Sequence, residues 1–124
     1  MIRFRPMPAM EIRDAPLSGA PGVSVAGEVD LATAPLLEDA VGAAILTTEG
    51  AFVIDVAEVP FLDSTGANVL MRARALLGRE DRELVLVCPP GPVLHVLETL
   101  GIADVFAIFA SRSAAARSLV RSAR

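Results

Sequence analysis

The residues of this chain best grouped for chemistry are Asp63-Ser64-Thr65-Gly66, which follow Val59-Pro60-Phe61-Leu62. A hydroxyl beside a carboxylate can cap a helix, accept a phosphoryl group or, if a base activates it, attack as a nucleophile. His95 is the one histidine, flanked by Leu94 and Val96 with Glu98 the nearby carboxylate, and it reads as a helix-surface residue. No Gly-Xaa-Ser-Xaa-Gly surrounds Ser64, so a hydrolase triad lacks its parts. One Cys88 and one His95 cannot build a metal cluster, and Asp30, Asp55 and Asp63 do not have the spacing of a cation loop. All eleven basic residues are arginine, which removes a P-loop lysine and Schiff-base chemistry, and no glycine-rich phosphate loop is present. The residues therefore point away from catalysis, with no metal and no cofactor.

The elements that must position this group follow from periodicity. Phe52, Val53, Ile54 and Val56 form an apolar run broken by Asp55, the pattern of a parallel strand covered on both faces. Asp55 is expected to be structural, accepting backbone donors near the following loop. Pro60 stops the strand, and Val69, Leu70, Ala73, Leu76 and Leu77 then recur at helical spacing up to about Gly78. The helix starts near Ser64, whose hydroxyl is expected to cap it, with Gly66 tolerated in the first turn. On spacing alone Asp63, Ser64 and Thr65 read as capping residues. The same helix start would also favour an anion on Ser64, opposed by Asp63.

Composition narrows the partners. The chain has 124 residues, 53% apolar and 21% charged, which predicts one folded domain over 1–124. No apolar run is long enough to span a membrane and the start, Met1-Ile-Arg-Phe-Arg-Pro6, lacks a signal segment, so a cytoplasmic protein without membrane insertion is expected. A net charge of −4, scattered arginines and five aromatic residues, all Phe, argue against nucleic acid. Cys88 ends an apolar run and reads as a buried structural thiol.

Residues 1–9, with Pro6 and Pro8, read as a loose lead-in. Met10 to Arg13 alternates as an edge strand, Ser18 to Gly22 is rich in turn residues, and a second strand runs from Val23 into Gly27-Glu28-Val29-Asp30. Thr33 is expected to cap a helix with Pro35 in its first turn and Leu36, Leu37, Ala40, Val41, Ala44 and Ile45 on one apolar face. Gly50 marks its far side. After the Ser64 helix, the charged turn Arg79 to Arg82 leads to a strand over Leu84 to Cys88. A short helix with Val93, Leu94, Leu97 and Leu100 ends at Gly101, a last strand covers Val105 to Phe109, and Ser111 or Ser113 opens a final helix with Leu119 and Val120 inward. The order ββαβαβαβα predicts an α/β domain: a mainly parallel mixed sheet of about five strands covered by about four helices.

Four stretches resemble the STAS family, named for sulphate transporters and anti-sigma factor antagonists: Gly27 to Asp30; Ile54-Asp55 with Val59 to Gly66; Leu86-Val87; and Leu97 to Ile102 with Val105-Phe106. The resemblance implies a free-standing bacterial antagonist, phosphorylated on Ser64 by a partner that is both anti-sigma factor and serine kinase, with Thr65 the second candidate. Unmodified, it would bind that partner and free a sigma factor; a phosphoserine phosphatase would reset it. Gly27, Glu28, Asp30, Thr33, Asp63, Ser64, Thr65, Gly66 and Asn68 are the expected partner-binding residues, at strand ends where open α/β sheets place their sites. Asp30 is expected to be an exposed loop charge, so Asp30→Arg would weaken binding and leave the fold unchanged. Ala57, Ala67 and Asn68 depart from the residues commoner in the family. Monomer or weak homodimer is the expected state. Two other readings stand beside this one: a STAS scaffold subunit of a lipid transporter or stress-sensing assembly, and a small phosphate-handling enzyme.

Overall fold

A computed structural model describes residues 10–122; the expected lead-in at 1–9 lies outside the described residues. The strands are β1 (Met10–Asp14), β2 (Gly22–Gly27), β3 (Phe52–Glu58), β4 (Leu84–Val87) and β5 (Ala107–Phe109). The helices are α1 (Ala34–Leu46), α2 (Ser64–Gly78), α3 (Pro92–Thr99) and α4 (Arg112–Ser122), and a single 3₁₀ turn spans Ala103–Val105. The sheet order is β1-β2-β3-β4-β5, with β1 antiparallel to β2 and the remaining pairs parallel. The expected element order and fold class hold.

That strand order explains the layering. Three successive crossovers step across the sheet in one direction, and right-handed crossovers then deliver their helices to one face. The main core accordingly joins Val23, Val25, Phe52, Ile54, Leu84 and Leu86 to apolar residues of α1, α2 and α3. The helix α4 covers the other face, where Ala115 and Leu119 pack with Val53, Val85 and Val87. Alternation along β3 sends Phe52, Ile54 and Val56 to the first core, Val53 to the second and Asp55 to the same side as Val53.

The differences from the periodicity reading have simple causes. Leu36 is 62% exposed and Val120 56%, while their neighbours Leu37 and Leu119 are buried. Adjacent helical residues lie about 100° apart and cannot share a narrow stripe. Val105 ends the 3₁₀ turn, Phe106 plugs the main core, and only Ala107–Phe109 pairs with β4. Arg82, in the charged turn, is tucked inward instead of solvated: it donates to Ile45 O at 2.8 Å, Gly50 O at 2.7 Å and Thr48 Oγ1 at 2.9 Å, and so satisfies a carbonyl in the last turn of α1 and one beyond it.

Candidate functional site

The chain beyond β2 and the chain beyond β3 run side by side at the carboxyl end of the sheet. Val29 N donates to Phe61 O at 2.9 Å and Asp63 N to Val29 O at 3.2 Å, a parallel bridge that pairs Val29 with Leu62. These bonds bring the Glu28–Thr33 loop against the start of α2, the two stretches in which the partner-binding residues were expected. Val29 and Leu62 are buried beneath them.

Asp63, not Ser64, caps α2. Its backbone is extended and its Oδ1 accepts from Gly66 N at 3.0 Å, while its carbonyl accepts from Ala67 N at 2.9 Å. Ser64 is therefore the first helical residue, exposed, with no hydrogen bond to its hydroxyl among the described residues. The reason is geometric: the residue before the first helical turn, with non-helical dihedrals, is the one whose side chain can reach back to the free donors. Thr65 is half-buried and Asn68 is exposed one turn on.

Gly66 is required and not merely tolerated. A Cβ there would lie 2.8 Å from Val29 Cγ1, 3.0 Å from Leu62 Cγ and 3.1 Å from Val29 O. It is buried, so it joins the two loops and offers little to a partner. Ala67 is also buried, 2% exposed, and Ala57 lies at the end of β3, so of the three departures from the family pattern only Asn68 sits exposed on the first turn.

The 28–33 loop is held by its own polar side chains. Asp30 Oδ1 accepts from Ala32 N at 3.0 Å and Thr33 N at 3.1 Å. Thr33 Oγ1 donates to Glu28 O at 2.9 Å and accepts from Asp30 N at 3.0 Å. Thr33 does occupy the position before α1, but its side chain makes no capping bond to that helix, and at 5% exposure it is a strut of the loop. Asp30 likewise is half-buried and structurally engaged, which corrects the expectation of a freely exposed charge. Asp30→Arg would remove two backbone contacts along with the charge. Glu28 is exposed, and Gly27 is half-buried at φ +99°, a left-handed conformation suited to glycine.

Sequence reasoning missed two residues here. Leu31 is 75% exposed and Phe61 48%, one on each loop. Periodicity concealed Leu31, because it continues the alternation of Gly27 and Val29; the turn made by Asp30 sends it outward. The adjoining apolar Phe61 and Leu62 gave no indication of which would point in.

The other candidates are structural. Asp55 is 6% exposed; its Oδ1 accepts from Ala57 N at 2.9 Å and its Oδ2 from Arg112 Nη1 at 3.1 Å. The expected backbone donor is present, and α4 supplies a cation that the sequence did not reveal. The register between β2 and β3 slips between Ser24 and Ala26, leaving an extra residue on β3, so the Ala57 N–H that the side chain takes lies within that irregularity. Burial pushes the Cys88 thiol up to about 11, so it is protonated and unreactive at neutral pH. His95 is exposed on α3. Among the described residues no three His, Cys, Asp or Glu are grouped to hold a metal, and no helix is long and apolar enough to cross a membrane.

Ser64 presents an uncommitted hydroxyl at a helix start whose dipole and free N–H groups tolerate an anion. Asp63 precedes it directly, and Asp30 lies on the loop that Val29 ties to Phe61 and Asp63.

The STAS domain family model matches residues 15–115. The chain is 29% identical over 94 residues to the anti-sigma-F factor antagonist RsfB of Mycobacterium tuberculosis, covering 76% of each. It is 33% identical over 86 residues to the anti-sigma-B factor antagonist of Listeria monocytogenes, covering 69% of this chain and 75% of that one. Among solved structures, an anti-sigma factor antagonist from Mycobacterium paratuberculosis superposes with a TM-score of 0.82 at 29% identity, covering 90% of this chain and 96% of that one. Unphosphorylated SpoIIAA, at 17% identity and a TM-score of 0.71, covering 92% and 97%, shares the fold.

Proposed function

The chain belongs to the STAS domain family, and we propose that it is a cytoplasmic anti-sigma factor antagonist. In this reading the unmodified protein binds an anti-sigma factor that is also a serine kinase and so frees a sigma factor. Phosphorylation of Ser64 ends that binding, and a phosphoserine phosphatase restores it. The chain contributes a binding surface and a substrate hydroxyl; phosphoryl transfer is the partner's chemistry. The partner-binding set is Glu28, Asp63, Ser64, Thr65 and Asn68 from the exposed or half-exposed positions, with Gly27, Asp30, Thr33 and Gly66 shaping the loops beneath them.

The observation that carries this reading is the division of labour between Asp63 and Ser64: because Asp63 caps α2, the exposed Ser64 hydroxyl is left free. The half-buried state of Thr65 supports the serine as the modified residue. A phosphate adds a charge of about −1.5 to −2. Nearby carboxylates oppose it by on the order of 1 kcal/mol each across a solvated surface. The helix start returns roughly 0.3–1 kcal/mol, so the domain stays folded. A partner packed on Ser64 meets an uncompensated charge, and a loss of about 3 kcal/mol lowers affinity more than a hundredfold.

The test uses the anti-sigma factor kinase from the same genome, purified, with ATP. Mass spectrometry should place the phosphate on Ser64. Ser64→Ala should bind the kinase whether or not ATP is present, and Ser64→Glu should bind poorly while remaining folded. Phosphate on Thr65, or tight binding by Ser64→Glu, overturns the switch.

A further inference from the structure

Each of the two site loops exposes a large apolar side chain: Leu31 at 75% and Phe61 at 48%. Val29 N–H···O=C Phe61 and the Val29–Leu62 bridge hold these loops together. The loop of Leu31 is rigid by construction, since Asp30 Oδ1 takes two backbone N–H groups and the buried Thr33 hydroxyl ties Asp30 N to Glu28 O. A large aliphatic side chain held in water on an ordered loop is preorganised for burial in a partner.

The charged residues on the two loops that carry this pair have one sign. Glu28, Asp30 and Asp63 flank it, and no arginine occurs between Arg13 and Arg72. One oxygen of Asp30 and one of Asp63 bond to backbone N–H groups, leaving net negative charge on both loops. An apolar centre with a charged rim is the anatomy of a protein interface, with binding energy concentrated at the centre and charge setting rate and specificity.

We propose that Leu31 and Phe61 are the paired apolar anchors of the partner interface, and that they fit an apolar hollow rimmed by arginine or lysine on the anti-sigma factor kinase. This rests on the reading of the chain as an anti-sigma factor antagonist. Asp30 and Thr33 are then positioning residues that hold Leu31 outward. A phosphate on Ser64, at the start of the helix that follows the Phe61 loop, adds bulk and a strongly hydrated dianion beside the anchors, and closing the apolar hollow over Leu31 and Phe61 would strip that hydration.

The experiment measures binding of the full chain to the purified kinase by calorimetry without ATP. Leu31→Ala and Phe61→Ala should each weaken binding by about tenfold or more. Leu31→Met and Phe61→Leu should retain most of the affinity. Leu46→Ala is the control: Leu46 is as exposed, at 76%, but lies at the far end of α1, about 18 Å along its axis, and its loss should leave affinity unchanged. Thr33→Val should weaken binding, and Thr33→Ser, which keeps the hydroxyl, should restore it. Raising salt should weaken the parent complex through the charged rim. A parent that binds while Leu31→Ala and Phe61→Ala both stay within about twofold of it overturns the anchors. Affinity that does not fall with salt overturns the basic rim, and a parent that fails to bind the kinase overturns the functional reading itself.

Discussion

Two helices of this protein begin on serines, and they use them in opposite ways. At α4, Ser111 is the cap: its Oγ accepts from Ala114 N at 3.1 Å and lies 3.1 Å from Ser113 Oγ. The first helical residue is Arg112, a charge that the helix dipole disfavours there, and it is held by Asp55 Oδ2 and Pro16 O, both at 3.1 Å. At α2 the cap is Asp63 and the anchor is Gly66, pressed on Val29. The α2 start therefore needs nothing from Ser64. A serine becomes available for modification when its neighbours perform the structural work, and the capping pattern alone does not reveal which serine that is.

This contrast can be broken at four points. The largest effect should come from Gly66→Ala, because the added methyl meets Val29 and Leu62; a loss of about 2–3 kcal/mol in a denaturant melt is expected, with partner binding reduced by displacement of the 28–33 loop. An unchanged midpoint would mean that the two loops are not pressed together as described. Asp55→Ala should cost about 2 kcal/mol and speed amide exchange in α4, since it strands Arg112 and the Ala57 N–H while leaving the α2 start intact. Equal exchange in α4 of parent and variant would show that Arg112 does not secure the helix.

Asp63→Ala should cost about 1 kcal/mol, and Asp63→Asn, which keeps an acceptor, should recover most of it. If Asn melts like Ala, the carboxylate charge and not the hydrogen bond stabilises α2. The smallest effects separate the two serines directly. Ser111→Ala should lower stability by about 0.5–1 kcal/mol, whereas Ser64→Ala should change it by less than about 0.5 kcal/mol. A larger loss for Ser64→Ala than for Ser111→Ala would reverse their roles.

Much of this was legible in the chain. The apolar runs at Phe52–Val56 and Leu84–Val87, each stopped by proline or charge, and the helical spacing after Ser64 identified a mainly parallel sheet and the order of elements along the chain. The segment around Ser64 was legible as a helix start, and Asp55 as a structural carboxylate. What went unread has two causes. Asp30 and Thr33 were taken for a contact and a cap because local pattern treats a polar loop residue as solvent-facing, whereas both bond within their own loop. Arg112 could not be paired with Asp55 because 57 positions separate them.

By itself the sequence determined the elements, their order and the chemistry on offer, because periodicity, turn residues and side-chain types are local properties. It also limits the chain to one thiol, one imidazole and no lysine. Tertiary structure alone decided which hydroxyl is free, which aspartate is tied and which leucine faces water. The Asp63 cap and the Asp30 turn are local bonds that the folded backbone selects among several candidates, while the rest depends on neighbours brought close by the parallel crossovers: Val29 against Gly66, the loop of Phe61 against Val29, and Arg112 against Asp55. Such neighbours are set by burial and by strand register across the sheet, and neither is recorded in the spacing of residues along the chain.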